Sequence, residues 1–133
     1  MRHEAHRIQK TAWRGEIWET EWKPSRGSEQ AGIRPSLILQ DDMLNGRDRY
    51  TNTIVLAMTR TSRSYPSHIQ IEPTEQNGLS EISFVMTEQI MTIAKERLLY
   101  RRGTLTGAQM DEIEDAILKV TGLFSRFVRR ETR

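Results

Sequence analysis

The hydrophobic residues of this chain come in short runs separated by polar segments, a pattern typical of several short strands. The segment Glu16–Trp22 alternates, with its two tryptophans and Thr20 on one side, which predicts a first strand with one buried face. Apolar runs at Pro35–Gln40 and Thr53–Thr59 predict two more strands that lie in the core.

The second half of the chain predicts two further strands and a helix. A short strand is expected at His68–Ile71, and a longer, bent one over Ser83–Ile93. A capping box formed by Thr106 and Gln109 then begins a helix. Its apolar residues recur every three or four positions, at Met110, Ile113, Ile117, Val120 and Phe124.

About five strands followed by one helix, without strand–helix–strand units, favour a mostly β member of the α+β class, built as a small antiparallel barrel or curled sheet. A chain of 133 residues is large enough for one such core. We expect residues 1–12 to be a flexible N-terminal extension, 13–128 a single domain and 129–133 a basic tail.

Composition narrows the chemistry. The net charge is only +2, yet sixteen of the twenty basic residues are arginines, whose side chains suit bidentate contact with phosphate. A GC-rich genome would produce the same bias. Arginine content alone therefore does not distinguish binding of phosphate from an effect of base composition. The chain contains no cysteine, which excludes disulfides, thiolate nucleophiles and cysteine-ligated zinc. With neither an export signal nor an apolar run of membrane-spanning length, we expect a cytoplasmic protein.

The segment before the second strand, residues 27–35, reads GSEQAGIRP. Its two glycines permit backbone conformations that other residues rarely adopt, and Pro35 favours an extended Arg34. This arrangement predicts a charge held at the junction of a polar loop and a rigid strand. The alternative interpretation, a surface loop with a solvated arginine, stays open at this stage.

The polar residues argue against most familiar catalytic sites. The three histidines, His3, His6 and His68, form no metal-binding motif, and neither a Ser–His–acid triad nor a pair of acids for glycoside hydrolysis is indicated. We therefore expect no metal ion and no other cofactor. The remaining Arg, Thr, Ser, Gln and Glu side chains suit phosphodiester cleavage in RNA, because the 2′-hydroxyl of the substrate supplies the nucleophile.

Several blocks of the sequence resemble MazF/PemK-type toxins in order and spacing, from about Trp13 to Leu123. The blocks are Arg14-Gly15-Glu16-Ile17-Trp18, Gly27-Ser28-Glu29-Gln30-x-Gly32-x-Arg34-Pro35, Asn45, the strand ending at Thr59, Pro66-Ser67-His68, Gln89-Ile90-x-Thr92-Ile93 and Arg97-Leu98. The resemblance implies an SH3-like barrel with a C-terminal helix, usually a homodimer. It also implies a metal-independent, sequence-selective endoribonuclease for single-stranded RNA, neutralised by a cognate antitoxin with which it binds DNA.

The resemblance also assigns roles to residues. Arg34 and Thr59 correspond to the family's catalytic positions, with Arg34 stabilising the phosphorane and Thr59 bonding the scissile phosphate or the 2′-hydroxyl. An arginine stays protonated at neutral pH, so the general base is a separate group, for which Glu29 is the candidate. The residues that correspond to RNA contacts are Ser28, Glu29, Gln30 and Gln89. The products implied are a 2′,3′-cyclic phosphate and a 5′-hydroxyl.

Two other functions suit the same small barrel. One is a non-catalytic toxin resembling the CcdB-type gyrase poisons, which would bind gyrase and leave RNA intact. The other is an RNA-binding module that binds with strong salt dependence but does not cut.

Overall fold

The computed structural model describes residues 11–22, 32–62 and 64–125. Its strands are β1 (Glu16–Trp22), β2 (Gly32–Ile38), β3 (Asn52–Thr59), β4 (His68–Ile71), β5 (Ser83–Ala94) and β6 (Leu98–Thr104). A short helix α1 (Asp42–Asn45) follows β2, a 3₁₀ turn (Lys95–Arg97) joins β5 to β6, and helix α2 (Gly107–Val120) comes last. Most of the predicted extension (residues 1–10) and all of the predicted tail (129–133) lie outside the described residues.

The strands form one antiparallel sheet in the order β4-β5-β3-β2-β1-β6. The predicted class, mostly β with a C-terminal helix, is therefore confirmed. The sheet is open in the described part of the chain, since β4 and β6 are its two edges. No helix among the described residues is long and apolar enough to cross a membrane.

Both faces of the central strands are buried, each in its own cluster. The helix-side core lies under α2 and consists of Ile17, Leu37, Leu56, Met58, Ile69, Ile71, Leu79, Val85, Leu105, Met110 and Ile113. The tryptophan-side core consists of Ala12, Trp18, Trp22, Ile38, Val55, Ala57, Met86, Ile93 and Leu98. Consecutive residues of a strand point to opposite faces, so Ile17 and Trp18 enter different cores. The prediction of one buried face for the first strand was therefore incomplete.

Helix α2 begins where the capping box predicted. The hydroxyl of Thr106 accepts from the amide of Gln109, and the side chain of Gln109 accepts from the amide of Thr106. The helix ends at Val120, one turn before Phe124, and Gly122 follows with a left-handed φ of 81°. The predicted α2 is thus confirmed in its start and is shorter at its end.

Strand β6 is the element that the pattern did not predict. Its residues show no alternation, with buried positions only at Leu98 and Gly103. It is held on the edge of the sheet by antiparallel pairing with β1, which no periodicity within the segment itself could show. The described residues therefore form six strands where about five were expected.

Candidate active site

Strands β2 and β3 separate at the end of the sheet where Arg34 and Thr59 lie. The last paired positions of their ladder are Ser36 and Ala57. Arg34 and Thr59 each stand two residues beyond this pair, in positions that the same register would set opposite one another. Both residues therefore lie at the end of the sheet, where the two strands diverge beyond their last pair.

A cavity of about 330 Å³ opens at this end of the sheet, and both Arg34 and Thr59 line it. Four other parts of the chain supply the remaining walls: β1, β6, the start of the β3–β4 connection, and the loop before β5 with the first residue of β5. The lining residues are Glu19, Ile33, Arg34, Pro35, Met58, Thr59, Arg60, Thr61, Leu79, Ser80, Glu81, Ser83 and Arg102. The structure thus brings the two predicted catalytic residues to one cavity.

The cavity carries an excess of positive charge, since its lining includes three arginines and two glutamates. Arg102 pairs with Glu19 at 2.8 Å and Arg60 pairs with Glu81 at 2.6 Å. Among the described residues, none forms an ion pair with Arg34. The described ion pairs therefore do not neutralise the positive charge of Arg34, which can attract an anionic ligand.

Thr59 ends β3 in a local turn that fixes its hydroxyl. The Oγ1 atom of Thr59 accepts from the backbone amide of Thr61 at 3.2 Å and lies 3.4 Å from the carbonyl oxygen of Thr61. This small hydrogen-bonded loop replaces the ladder that β3 has just left. Thr59 is half-buried. Its hydroxyl has a lone pair that can accept from a 2′-hydroxyl, and its proton, held only by the long 3.4 Å contact, can instead be donated to a phosphate oxygen.

A buried hydroxyl pair supports the strand end on which Arg34 is placed. Thr20 lies opposite Arg34 in the β1–β2 ladder, and its Oγ1 is 2.6 Å from Oγ of Ser36. Thr20 donates its proton to the carbonyl oxygen of Trp18, so Ser36 is the donor between the two hydroxyls. Both side chains are fully buried, which makes this link between β1 and β2 a rigid one.

The loop before β5 is pressed against β6 beside the cavity. Gly78 has a left-handed φ of 68°, and a Cβ atom there would overlap the backbone carbonyl of Arg102. The carbonyl oxygen of Gly78 accepts from Nε and Nη2 of Arg102 at 3.1 and 2.8 Å. Arg102 is therefore clamped between the loop and Glu19.

Of the other predicted RNA contacts, only Gln89 belongs to the described residues. Ser28, Glu29 and Gln30 lie outside the described residues. Gln89 is half-buried in β5, where the pairing with β3 shifts register, and it is absent from the described lining of the cavity. Its role stays a prediction.

Beside Gln89, the side chain of Glu88 is held by an almost buried histidine. Nε2 of His68 lies 3.2 Å from Oε2 of Glu88, and the His68 side chain is 4% exposed. Burial raises the pKa of Glu88, but hydrogen bonds from Ser67, from its own amide and from His68 outweigh burial, so this pKa lies below its usual value. In residues 11–22, 32–62 and 64–125, no three His, Asp or Glu side chains gather as metal ligands would.

Among the charged residues of the cavity that sequence reasoning missed are Glu19 and Arg102. Glu19 lies between buried neighbours of β1 and reads as an ordinary outward-facing position. Arg102 belongs to β6, the strand that was not predicted. No pattern along the chain relates the two, because their contact depends on how β6 is added to the sheet.

Comparison with known proteins identifies the family of this chain. The model of the PemK-like, MazF-like toxins of type II toxin–antitoxin systems matches residues 13–121. The chain belongs to this family. The resemblance carried by the sequence blocks is thereby confirmed, and the match spans both strands that bear the candidate catalytic residues.

Relatives of known name agree with this membership. Endoribonuclease MazF of Staphylococcus saprophyticus is 34% identical over 107 residues, which cover 78% of this chain and 86% of that protein. MazF of Deinococcus radiodurans has the same fold, with a TM-score of 0.71, 19% identity and coverage of 85% of this chain and 98% of that one. A mycobacterial endoribonuclease solved in complex with its cognate antitoxin matches with a TM-score of 0.69, 23% identity and coverage of 84% and 96%.

Proposed function

We propose that this MazF-like toxin is an endoribonuclease that cuts single-stranded RNA at selected sequences without a metal ion. The observation that carries the proposal is the meeting of Arg34 and Thr59 in one cavity with an excess of positive charge. The named relative at 34% identity is an endoribonuclease, which supports the same class of reaction.

The reaction that suits these residues uses the RNA as its own nucleophile. The 2′-oxygen attacks the adjacent phosphorus and loses its proton to a general base, while the bond from phosphorus to the 5′-oxygen breaks and that oxygen gains a proton. The products are a 2′,3′-cyclic phosphate and a 5′-hydroxyl. The protein has to align the attacking oxygen and stabilise the charge that develops on the phosphoryl oxygens.

Arg34 and Thr59 divide this work. The guanidinium of Arg34 donates two parallel hydrogen bonds to phosphoryl oxygens and so neutralises charge on the phosphorane. It is also our candidate for the group that donates a proton to the departing 5′-oxygen. The hydroxyl of Thr59, oriented by the amide of Thr61, bonds the scissile phosphate or the 2′-hydroxyl. Because an arginine stays protonated at neutral pH, the base is a different group, and Glu29 is our candidate.

The remaining parts of the proposal concern recognition and control. Ser28, Glu29 and Gln30 of the segment before β2, together with Gln89, contact the RNA strand. The toxin acts as a homodimer and is neutralised by a cognate antitoxin. The mycobacterial structural neighbour was solved with its own antitoxin, which supports the last point.

The test is cleavage of a long single-stranded RNA by the purified protein in EDTA. We expect discrete fragments whose new 5′ ends accept phosphate from polynucleotide kinase without prior dephosphorylation, since they end in a hydroxyl. Arg34→Ala should abolish cutting, whereas Arg49→Ala, at an exposed position outside the cavity, should cut like the parent. Intact RNA would overturn the proposal, and RNA that is bound but uncut would favour a binding module. Toxicity that survives Arg34→Ala would favour a gyrase-binding toxin.

A further inference from the structure

The ion pair of Glu19 and Arg102 is the part of the cavity that the proposed chemistry does not use. It lies in the same cavity as Arg34 and Thr59 and is mostly shielded from water, with side-chain exposures of 13% and 19%. The second ion pair of the cavity, Arg60 with Glu81, is far more exposed, at 69% and 57%. Exposed pairs are mobile and screened by solvent, so the first is the better candidate for selective recognition.

Arg102 is held in one orientation and still has donors to offer. A guanidinium carries five N–H groups in a fixed plane. Arg102 gives two of them to the carbonyl oxygen of Gly78 and one to Oε1 of Glu19. Within the described parts of the chain the other two N–H groups have no partner, so they can bind a ligand in a geometry that is set before the ligand arrives.

Glu19 presents the complementary group. Among the described residues its hydrogen bonding involves Oε1, which leaves Oε2 as an acceptor on the wall of the cavity. The pair therefore offers a donor and an acceptor side by side, at fixed positions and on side chains that are mostly shielded from water. That is the pattern needed to read the Watson–Crick edge of an unpaired base.

We propose that Glu19 and Arg102 form a subsite that selects guanine next to the scissile phosphate, an inference that rests on the proposed endoribonuclease function. Guanine places a carbonyl acceptor beside two N–H donors on one edge, so Arg102 donates to O6 while the Glu19 carboxylate accepts from N1 and N2. Uracil has a single N–H between two carbonyls and leaves the carboxylate with one partner at most. A cavity of about 330 Å³ has room for a nucleotide but not for a long stretch of RNA, so the base read here is adjacent to the cut.

The experiment maps the 5′ ends of cleavage products from a long RNA for the parent and for Glu19→Gln and Arg102→Lys. Glutamine keeps an acceptor for Arg102 but loses the carboxylate, and lysine keeps the charge but loses the fork. We expect the parent to cut beside a constant guanine. Each variant should still cut, with the rate ratio of guanine over other bases at that position reduced about tenfold or more. Replacing that guanine by inosine, which lacks the 2-amino group, should slow the parent and leave Glu19→Gln unaffected.

Matched controls separate reading of a base from support of the fold. Arg101→Lys alters the neighbouring β6 arginine, which pairs with Glu16 and does not line the cavity, and Glu112→Gln alters an exposed acid of α2. Both should keep the parent's cut sequences. A purely structural role of the pair would lower the melting temperature and leave the cut sequences unchanged. This inference would be overturned if folded Glu19→Gln and Arg102→Lys cut the same RNA sequences as the parent, or if the parent cut at sites without guanine. A parent that cuts no RNA would overturn the proposed function itself.

Discussion

Arg34 and Thr59 stand at equivalent distances from the end of one ladder, each two residues beyond the Ser36–Ala57 pair of β2 and β3. Paired strands satisfy each other's backbone hydrogen bonds. Where two strands have just separated, a cleft opens between them into which a ligand fits. Two residues at the mouth of such a cleft are held by the sheet behind them and remain accessible to a ligand. This relationship explains why the cation and the hydroxyl share one cavity.

Thr59→Val should slow RNA cleavage about 100-fold, because valine has the shape of threonine but no hydroxyl for the phosphate or the 2′-oxygen. Thr59→Ser should keep most of the rate, since it retains the oxygen that the amide of Thr61 orients. Initial cleavage rates of the two variants, compared at equal folded fraction by circular dichroism, decide the matter. Equal rates for valine and serine would remove Thr59 from the chemistry.

Gly78→Ala should destabilise the fold by more than about 1 kcal/mol, because alanine is strained at φ 68° and its Cβ would overlap the backbone of Arg102. Gly122→Ala is the matched control, since Gly122 also has a left-handed φ, 81°, but no atom within 4 Å of an added Cβ. Urea denaturation of the three proteins measures both changes. If Gly78→Ala lost no more free energy of unfolding than Gly122→Ala, the loop would accommodate the added Cβ without destabilising the fold.

The regular elements were the part of the fold that sequence could predict. Alternation and apolar runs identified β1, β3, β4, β5 and the start of α2, because each of these elements shows its own burial in its own residues. Strand β2 begins at Gly32, earlier than the predicted Pro35. Its first two residues are exposed, so burial leaves no pattern there that the sequence could show. Strand β6 was missed since only its neighbour β1 makes it a strand.

The same division holds for the candidate site. Arg34 and Thr59 were found because each stands at a strand end within a recognisable sequence block. Glu19 and Arg102 could not be found, because their 2.8 Å contact joins strands at opposite ends of the chain. Residues that act through a long-range pairing leave no periodic or local signal in the sequence.

Thr20→Val should cost more stability than Ser36→Ala, although the two hydroxyls contact one another. Valine at position 20 leaves the buried proton of Ser36 without an acceptor, a loss of about 1–3 kcal/mol. Alanine at position 36 leaves Thr20 still donating to the carbonyl of Trp18, so only about 1 kcal/mol is expected. The double variant should be no less stable than Thr20→Val alone. Chemical denaturation of the four proteins in a double-mutant cycle tests this order, which a larger loss for Ser36→Ala would contradict.

Glu88 should make the stability of the fold fall in acid. Its pKa in the folded protein lies below the ordinary value of 4.5, so the ionised carboxylate is favoured by folding. The stabilisation is fully present above the unfolded pKa and is lost as the pH falls through the lower, folded one. Between pH 6 and pH 3 the parent should therefore lose more free energy of unfolding than Glu88→Gln, which cannot ionise. Glu112→Gln, at an exposed site on α2, is the control and should keep the parent's pH dependence. If the unfolding free energies of the parent and of Glu88→Gln changed in parallel with pH, His68 and Ser67 would not favour the ionised Glu88 carboxylate.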